Sequence, residues 1–258
     1  MDTLVYKDTE KLEKYVNKLN TISDFQRELL LIGFPYALEV DENNFEEIKE
    51  YFLVNDTDGH DYKNPETERY IGVLIDSFKV YNRTHSILDE CKKHGDVVLL
   101  SNFYGVLKPI FPKLFTKKEF SQIVLSCNAG KRKPSSDFLN EVQNDGYERK
   151  IYVGDNWYSD MVPALIDNFK CVYVNPSDVF IQYILKNGIQ SLIQKDDKYH
   201  FKSKYKEMAK YFLGSLIDID DILESDIYIE DSKVFLTALK NVIWYPSIDD
   251  IKEIREII

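Results

Sequence analysis

Residues 97–102 read Val-Val-Leu-Leu-Ser-Asn, a short apolar run that ends abruptly in two polar side chains. Three further apolar runs follow it, at Gln122–Leu125, Ile151–Val153 and Cys171–Val174. Each run is bounded by turn residues, and helix-length segments separate them. Continuous apolar runs that alternate with helices are typical of buried parallel strands. We therefore predict an α/β fold with a parallel, Rossmann-like sheet.

The residues before this stretch carry a helical pattern instead. Apolar side chains recur at helical spacing, which predicts helices over residues 9–20, 22–34, 43–54, from Pro65 onward, and 84–94. Asn43-Asn44 and Asn64-Pro65 are typical helix starts. The last 80 residues are again mainly helical in pattern. We predict a helical cap-like region over 1–82, an α/β core over 83–178 and a C-terminal extension over 179–258.

Composition narrows the classes of function. Acidic residues outnumber basic ones by 44 to 33, and the net charge is −11. This balance lacks the positive field that nucleic-acid binding needs, so we expect no nucleic-acid partner. A phosphorylated small molecule can still bind through a few well-placed cations.

The cysteines favour a reducing compartment. Cys91, Cys127 and Cys171 are far apart and form no CxxC pair, which argues against a disulfide framework and a thiolate zinc site. Charged residues are frequent among the first eleven, unlike in a signal peptide. No run of 18 apolar residues is present for a membrane span. We expect a cytoplasmic protein with no membrane partner, and we find no signal for an oligomeric state.

Polar residues follow the ends of the predicted strands, where ligands bind in open parallel sheets. Ser101 and Asn102 follow the first strand, Lys133 lies eight residues beyond the second, and Asp155 and Asp160 follow the third. A hydroxyl and an ammonium can hold a phosphoryl group. Two carboxylates five residues apart can hold a hard divalent cation such as Mg²⁺ through oxygen.

These residues resemble the haloacid dehalogenase (HAD) superfamily of phosphohydrolases over residues 84–175. Val98–Asn102 is similar to its second motif, Gly130–Pro134 to its third, and Gly154-Asp155 with Asp160 to its GDxxxxD motif. The resemblance implies that Ser101, with Asn102 beside it, binds phosphate, and that Lys133 neutralises it. It implies that Asp155 and Asp160 belong to a Mg²⁺ site, and that the preceding helices form a cap.

The first motif of that superfamily is a strand that ends in DxD, followed by Gly or Asp and then Thr-Leu. It supplies the nucleophilic aspartate and the acid/base aspartate, and this sequence has no intact copy. In one alternative, Asp2-Thr3-Leu4-Val5 is the tail of the motif, and the nucleophile would precede Met1. In the other, residues 51–54 are the strand and Asp56-Thr57-Asp58-Gly59 is the motif, with Asp56 as nucleophile. Against this second alternative, residues 43–54 have a helical pattern, and Asp56–Gly59 reads equally well as a solvated turn.

The first alternative removes a strand from the middle of the sheet. Its neighbours would then have unpaired backbone groups. We therefore expect the strand to be replaced by another part of the chain, supplied by a partner, or encoded upstream of Met1. Ser225–Ile229 and Val234–Leu236 are the candidate replacements, because they are rich in β-prone residues.

Two functions follow from these patterns. The first is a Mg²⁺-dependent phosphatase that acts on a small phosphorylated metabolite, with Ser101, Lys133 and, in the second alternative, Asp56 as catalytic residues. The second is a catalytically inactive HAD-like protein that binds a ligand or a partner. A member that cleaves a carbon–halogen bond is a third possibility, which the complete GDxxxxD pair disfavours.

Overall fold

The computed structural model describes residues 3–57, 62–142, 146–174, 193–195, 199–201 and 242–254. The chain divides into two compact units, Met1–Gln143 and Asn144–Ile258. Both contain helices and parallel strands, so the chain has the expected mixed α/β character. The division into regions 1–82, 83–178 and 179–258 stays a prediction. In the described part of the chain, no helix is both long and apolar enough to span a membrane.

The first unit consists of a helical stretch followed by a pair of strands with short helices around them. Its elements are β1 (Val5–Lys7), α1 (Thr9–Val16), α2 (Asp24–Ile32), α3 (Phe45–Asn55), α4 (Pro65–Ser77), β2 (Phe78–Val80), α5 (Thr84–Lys92), β3 (Val98–Ser101), α6 (Ile110–Leu114), β4 (Gln122–Leu125), α7 (Ser126–Ala129) and α8 (Ser136–Leu139). A single 3₁₀ turn spans Ala37–Glu39, and another spans Gly105–Leu107.

The second unit is built around a parallel sheet. Its elements are β5 (Ile151–Gly154), a π-helical turn (Trp157–Met161), α9 (Val162–Ile166), β6 (Lys170–Val174), β7 (Ile193–Lys195), β8 (Tyr199–Phe201), β9 (Val242–Tyr245) and a 3₁₀ turn (Ile248–Asp250).

Local capping explains where several helices begin. The Asn64 side chain accepts a hydrogen bond from the backbone N–H of Glu66, and Pro65 occupies the first turn of α4, as predicted. Asn44 precedes α3 but does not cap it with its side chain. Its side-chain oxygen accepts a hydrogen bond from the backbone N–H of Asp41 instead. Asn44 therefore occupies the N-cap position that the sequence predicts, but its side-chain oxygen serves the turn at Asp41 and not the helix.

One hydrophobic core joins the helices of the first unit to the segments that follow β3 and β4. It includes Leu12, Leu30 and Leu74 from the helices together with Phe103 and Cys127, all buried. Strand β1 pairs with β2 in an antiparallel ribbon that the sequence patterns do not predict. The helical stretch and the ends of β3 and β4 therefore share one packed interior.

The four strands expected from their apolar runs are all formed, and they pair in parallel. β3 pairs with β4, with Ser101 opposite Leu125, and β5 pairs with β6, with Gly154 opposite Tyr173. The two pairs belong to separate sheets. Among the described residues, no strand is hydrogen-bonded to the second edge of β3 or of β5.

The C-terminal extension contributes β9 to the sheet of the second unit. β9 pairs in parallel with β6, with Cys171 opposite Val242, so it extends the edge beyond β6. The candidate replacement strands Ser225–Ile229 and Val234–Leu236 lie outside the described residues. Ser247 begins a 3₁₀ turn at Ile248–Asp250, where its side chain accepts a hydrogen bond from the N–H of Asp249.

Candidate functional site

The carboxyl ends of β3 and β4 lie level with each other because of their parallel register. Ser101, the last residue of β3, is opposite Leu125, the last residue of β4. Ser101 is buried, and its hydroxyl donates a 3.3 Å hydrogen bond to the backbone oxygen of Asn102. The predicted phosphate-binding hydroxyl therefore stands at the end of a strand, as the sequence pattern indicates.

Asn102 links the end of β3 to the segment that contains Lys133. Its side-chain oxygen accepts a 2.8 Å hydrogen bond from the backbone N–H of Lys133, and its amide donates a 3.0 Å bond to the carbonyl of the same residue. Both ends of one side-chain amide are thus bound to one backbone residue. Ser101, Asn102 and Lys133 are brought together in the first unit by this pair of bonds.

Lys133 is only 8% exposed, although the sequence around it is strongly basic. The preceding helix α7 ends at Gly130, whose φ of 66° is readily available to glycine and turns the chain out of the helix. Lys131 pairs with Glu141 at 2.7 Å, and Arg132 pairs with Glu50. The two flanking cations thus form ion pairs nearer the surface, whereas most of the area of Lys133 is covered.

A residue that the sequence reasoning missed completes the loop after β3. Ser126 begins α7 directly after β4 and is fully buried. Its hydroxyl accepts a 2.9 Å hydrogen bond from the N–H of Phe103 and lies 3.4 Å from the Phe103 carbonyl oxygen, to which it donates. The signal available was its position directly after an apolar strand, the same position that singled out Ser101.

Asp56 does not follow a strand. Residues 45–55 form α3, which confirms the helical pattern predicted there. The second alternative, which needs a strand at residues 51–54, is therefore wrong. The Asp56 carboxylate is 5% exposed and accepts hydrogen bonds from the Tyr36 hydroxyl and, at 3.3 Å, from the N–H of Val106. Burial, reinforced by the Asp56 carboxylate, raises the pKa of Tyr36 far above its usual range, so this hydroxyl stays a donor.

In the second unit, Asp160 organises the turn after β5. Its carboxylate accepts hydrogen bonds from the N–H groups of Asp155 and Asn156, at 3.2 and 3.0 Å, and from the Tyr152 hydroxyl at 3.2 Å. Burial, together with the charge of Asp160, raises the pKa of Tyr152 well above its usual range. Asp160 is 3% exposed, so most of its hydrogen-bonding capacity serves the turn itself.

Gly154 allows Asp160 to approach the strand end this closely. A Cβ atom at position 154 would lie 2.6 Å from the Cβ atom of Asp160. The glycine and the second aspartate of the GDxxxxD pattern are therefore complementary in shape. This explains in physical terms why these two residue types occur together here.

The donor set suits magnesium in part. Asp155 is half-exposed at the carboxyl end of β5, where it offers a hard oxygen ligand. Asp160 fits the role of holding the turn that presents Asp155. Within the part of the chain that the structure describes, no three His, Cys, Asp or Glu side chains form a metal-binding group. Asp155 is thus the residue that would hold Mg²⁺, and the remaining ligands would be waters or phosphate oxygens.

Comparisons with known proteins include a distant likeness among the solved structures. No family model matches the chain, and no curated protein matches it. A solved structure, the magnesium-bound HAD-hydrolase YfnB from Bacillus subtilis, is 14% identical, with 72% of this chain and 95% of that chain covered and a TM-score of 0.43. At this identity a likeness concerns the fold alone, and this TM-score is too low to establish even that. The resemblance to the HAD superfamily therefore rests on the three sequence motifs.

Proposed function

We propose that this chain binds the phosphoryl group of a small phosphorylated molecule at the carboxyl ends of β3 and β4. The observation that carries the proposal is the double hydrogen bond between the Asn102 side chain and the backbone of Lys133. It keeps the lysine segment beside the serine that ends β3. A hydroxyl donor at a strand end and a cation in a segment bound to it are what a phosphoryl group needs.

The charge of the chain favours a small, specific anion over a polyanion. The net charge is −11, so the protein as a whole repels anions. Recognition must then come from donors placed at short range, and Ser101 and Lys133 are such donors. Lys133 has little exposed area, which lowers the local dielectric and strengthens its attraction for a phosphate.

Calorimetric titration with inorganic phosphate tests this proposal. We expect Lys133→Ala and Ser101→Ala each to weaken binding by about tenfold or more, since each removes one donor to a charged ligand. Lys131→Ala is the matched control, because Lys131 lies two residues away and pairs with Glu141 at the surface. Equal effects of the Lys131 and Lys133 substitutions, or no binding to the unmodified chain, would contradict the proposal.

Mg²⁺-dependent hydrolysis is the second candidate, and the turn between β5 and α9 favours it. Neutralising negative charge in phosphoryl transfer is the chemistry that Mg²⁺ would supply if this turn held it. Asp155 would ligate the ion, and Asp160 would hold the Asp155 and Asn156 backbone in place. Asp56 is not suited to be the nucleophile of such a reaction, because its carboxylate is buried and already accepts two hydrogen bonds.

Hydrolysis of p-nitrophenyl phosphate, with Mg²⁺ and with EDTA, tests the second candidate. Asp155→Asn should abolish metal-dependent turnover if the candidate is right, whereas Asp167→Asn, a carboxylate elsewhere in the same unit, should not. Turnover that persists in Asp155→Asn would remove the metal assignment. Phosphate binding without turnover would support the binding function and contradict the hydrolytic one.

A further inference from the structure

Asp56 occupies a position that is unfavourable for a carboxylate by local criteria. It directly follows the last residue of α3, where the helix dipole carries partial negative charge. It is also 5% exposed, so its charge is largely removed from water. A residue that conflicts with its local environment in two ways needs a compensating role, and such conflicts concentrate at functional sites.

Two hydrogen bonds compensate for this burial, and both end on the same carboxylate oxygen. Oδ2 of Asp56 accepts from the Tyr36 hydroxyl and from the N–H of Val106. Tyr36 is fully buried, and its ring stacks on Phe52 of α3 with centroids 3.9 Å apart. The tyrosine therefore fixes the carboxylate from the helical side, and the carboxylate in turn holds the loop after β3.

The backbone of this loop lies directly against the backbone of Asp56. A Cβ atom at Gly105 would lie 1.8 Å from the carbonyl oxygen of Asp56, so a larger residue would force the two segments apart. The Lys108 ammonium donates a hydrogen bond to the carbonyl of Thr57, two residues beyond the end of α3. Residues 56–57 and 105–108 thus meet through two side-chain bonds and one close backbone approach.

The same loop is held at its other end by the phosphate-site contacts. The Ser126 hydroxyl accepts a hydrogen bond from the N–H of Phe103, and the Asn102 side chain donates one to the carbonyl of Lys133. Residues 101–107 are therefore held on one side by residues that follow β4 and on the other side by Asp56.

We propose that Asp56 is a positioning residue, which holds the loop at residues 101–107 so that Ser101 and Asn102 keep their places at the phosphate site. This inference rests on the proposed phosphate-binding function. In this role Asp56 acts on the loop and is not a nucleophile. Phosphate binding then depends on the hydrogen-bond acceptor oxygen of Asp56 and not on its negative charge.

Binding of inorganic phosphate to full-length variants tests the proposal. Asp56→Ala removes the acceptor, and we expect about tenfold weaker binding. Asp56→Asn keeps an oxygen acceptor, and we expect it to recover most of that loss, as a role through the hydrogen bond to the loop requires. Tyr36→Phe removes one hydroxyl from a stacked ring, and we expect an intermediate loss in a variant that keeps the packing.

Glu119→Ala is the matched control. Glu119 is a second buried carboxylate of the same unit, and it accepts the backbone N–H of Thr116 at 2.5 Å, away from residues 101–107. We expect this variant to lose stability while its phosphate affinity stays within about twofold of the original. If Glu119→Ala weakens binding as much as Asp56→Ala, the effect is general destabilisation and the proposal is overturned.

Amide hydrogen exchange separates failure of this inference from failure of the proposed function. Asp56→Ala should raise exchange over residues 101–107, and Glu119→Ala should not. If the original chain binds no phosphate, the proposed function fails, and exchange still decides whether Asp56 holds the loop. Unchanged exchange over residues 101–107 in Asp56→Ala would overturn the inference.

Discussion

The side-chain amide of Asn102 is hydrogen-bonded through both its oxygen and its nitrogen to the backbone of Lys133, 31 residues further along the chain. A planar side-chain amide that both donates to and accepts from one backbone residue reproduces the pair of hydrogen bonds between two residues of neighbouring strands. It extends the link between β3 and β4 beyond the ends of the strands themselves, to the residues that we assign to phosphate binding.

Removing this side chain should therefore affect stability and binding together. Asn102→Ala leaves the N–H and carbonyl of Lys133 without these partners, and we expect a loss of about 1–3 kcal/mol in the free energy of unfolding. Asn140→Ala, at an exposed asparagine of the same unit, should change it by less than about 0.5 kcal/mol. Urea unfolding of both variants measures the difference, and equal stabilities would show that the Asn102 bonds contribute little.

The close approach of Gly154 to Asp160 predicts a steric effect. Gly154→Ala places a Cβ atom 2.6 Å from the Asp160 Cβ, so the turn after β5 must shift, and we expect about 1–3 kcal/mol of destabilisation. Gly72→Ala is the comparison, because nothing lies within 4 Å of its added Cβ in α4. We expect that substitution to stabilise the protein by about 0.5–1 kcal/mol. Thermal denaturation checks both, and a Gly154→Ala variant as stable as the original would refute the close packing.

Glu119 predicts a pH dependence of stability. Burial alone raises the pKa of its carboxyl, but hydrogen bonds from His85 and from Thr116 outweigh burial, so the pKa lies below its ordinary value of 4.5. A carboxyl with a lowered folded-state pKa stabilises the protein above its ordinary pKa, and this contribution is lost as the pH falls through the folded-state pKa.

Glu119→Gln should accordingly be less stable than the original at pH 7. The difference in the free energy of unfolding between the two proteins should narrow below pH 4.5. Urea unfolding at pH 7 and at pH 4 measures this narrowing. Glu10→Gln is the control, because its pair with Lys14 is fully at the surface and contributes little at either pH. A gap that stays constant with pH would mean that the charge of Glu119 is not what stabilises the fold.

Cysteine reactivity should follow the burial of each thiol. Burial raises the pKa of the Cys171 thiol to about 12, so at pH 8 only about one molecule in 10⁴ carries the thiolate. Cys91 is half-exposed, and burial raises its pKa to a lesser degree. We expect Ellman's reagent to modify Cys91 first and Cys171 only after denaturation. Rapid modification of Cys171 in the folded protein would contradict its place inside the β5–β6–β9 sheet.

The sequence by itself determined the local structure and the candidate residues of this protein. Apolar runs placed β3, β4, β5 and β6 within a residue or so, because buried parallel strands need continuous apolar side chains. Helical spacing likewise predicted α3. It thereby argued against the strand that a catalytic Asp56 would have required at the same residues. Motif spacing singled out Ser101 and Lys133 before any contact between their segments was known.

Only the tertiary structure decided how those residues are used. The Asn102–Lys133 bonds, the Ser126–Phe103 bonds and the burial of Asp56 against Val106 all join residues that are distant in sequence. Hydrophobic period and turn chemistry act over a few residues, so they carry no information about which distant backbone group a side chain will meet. Such pairings depend on how whole elements pack. The packing in this chain makes Asp56, the nucleophile in one alternative, a buried acceptor for the loop beside the proposed phosphate site.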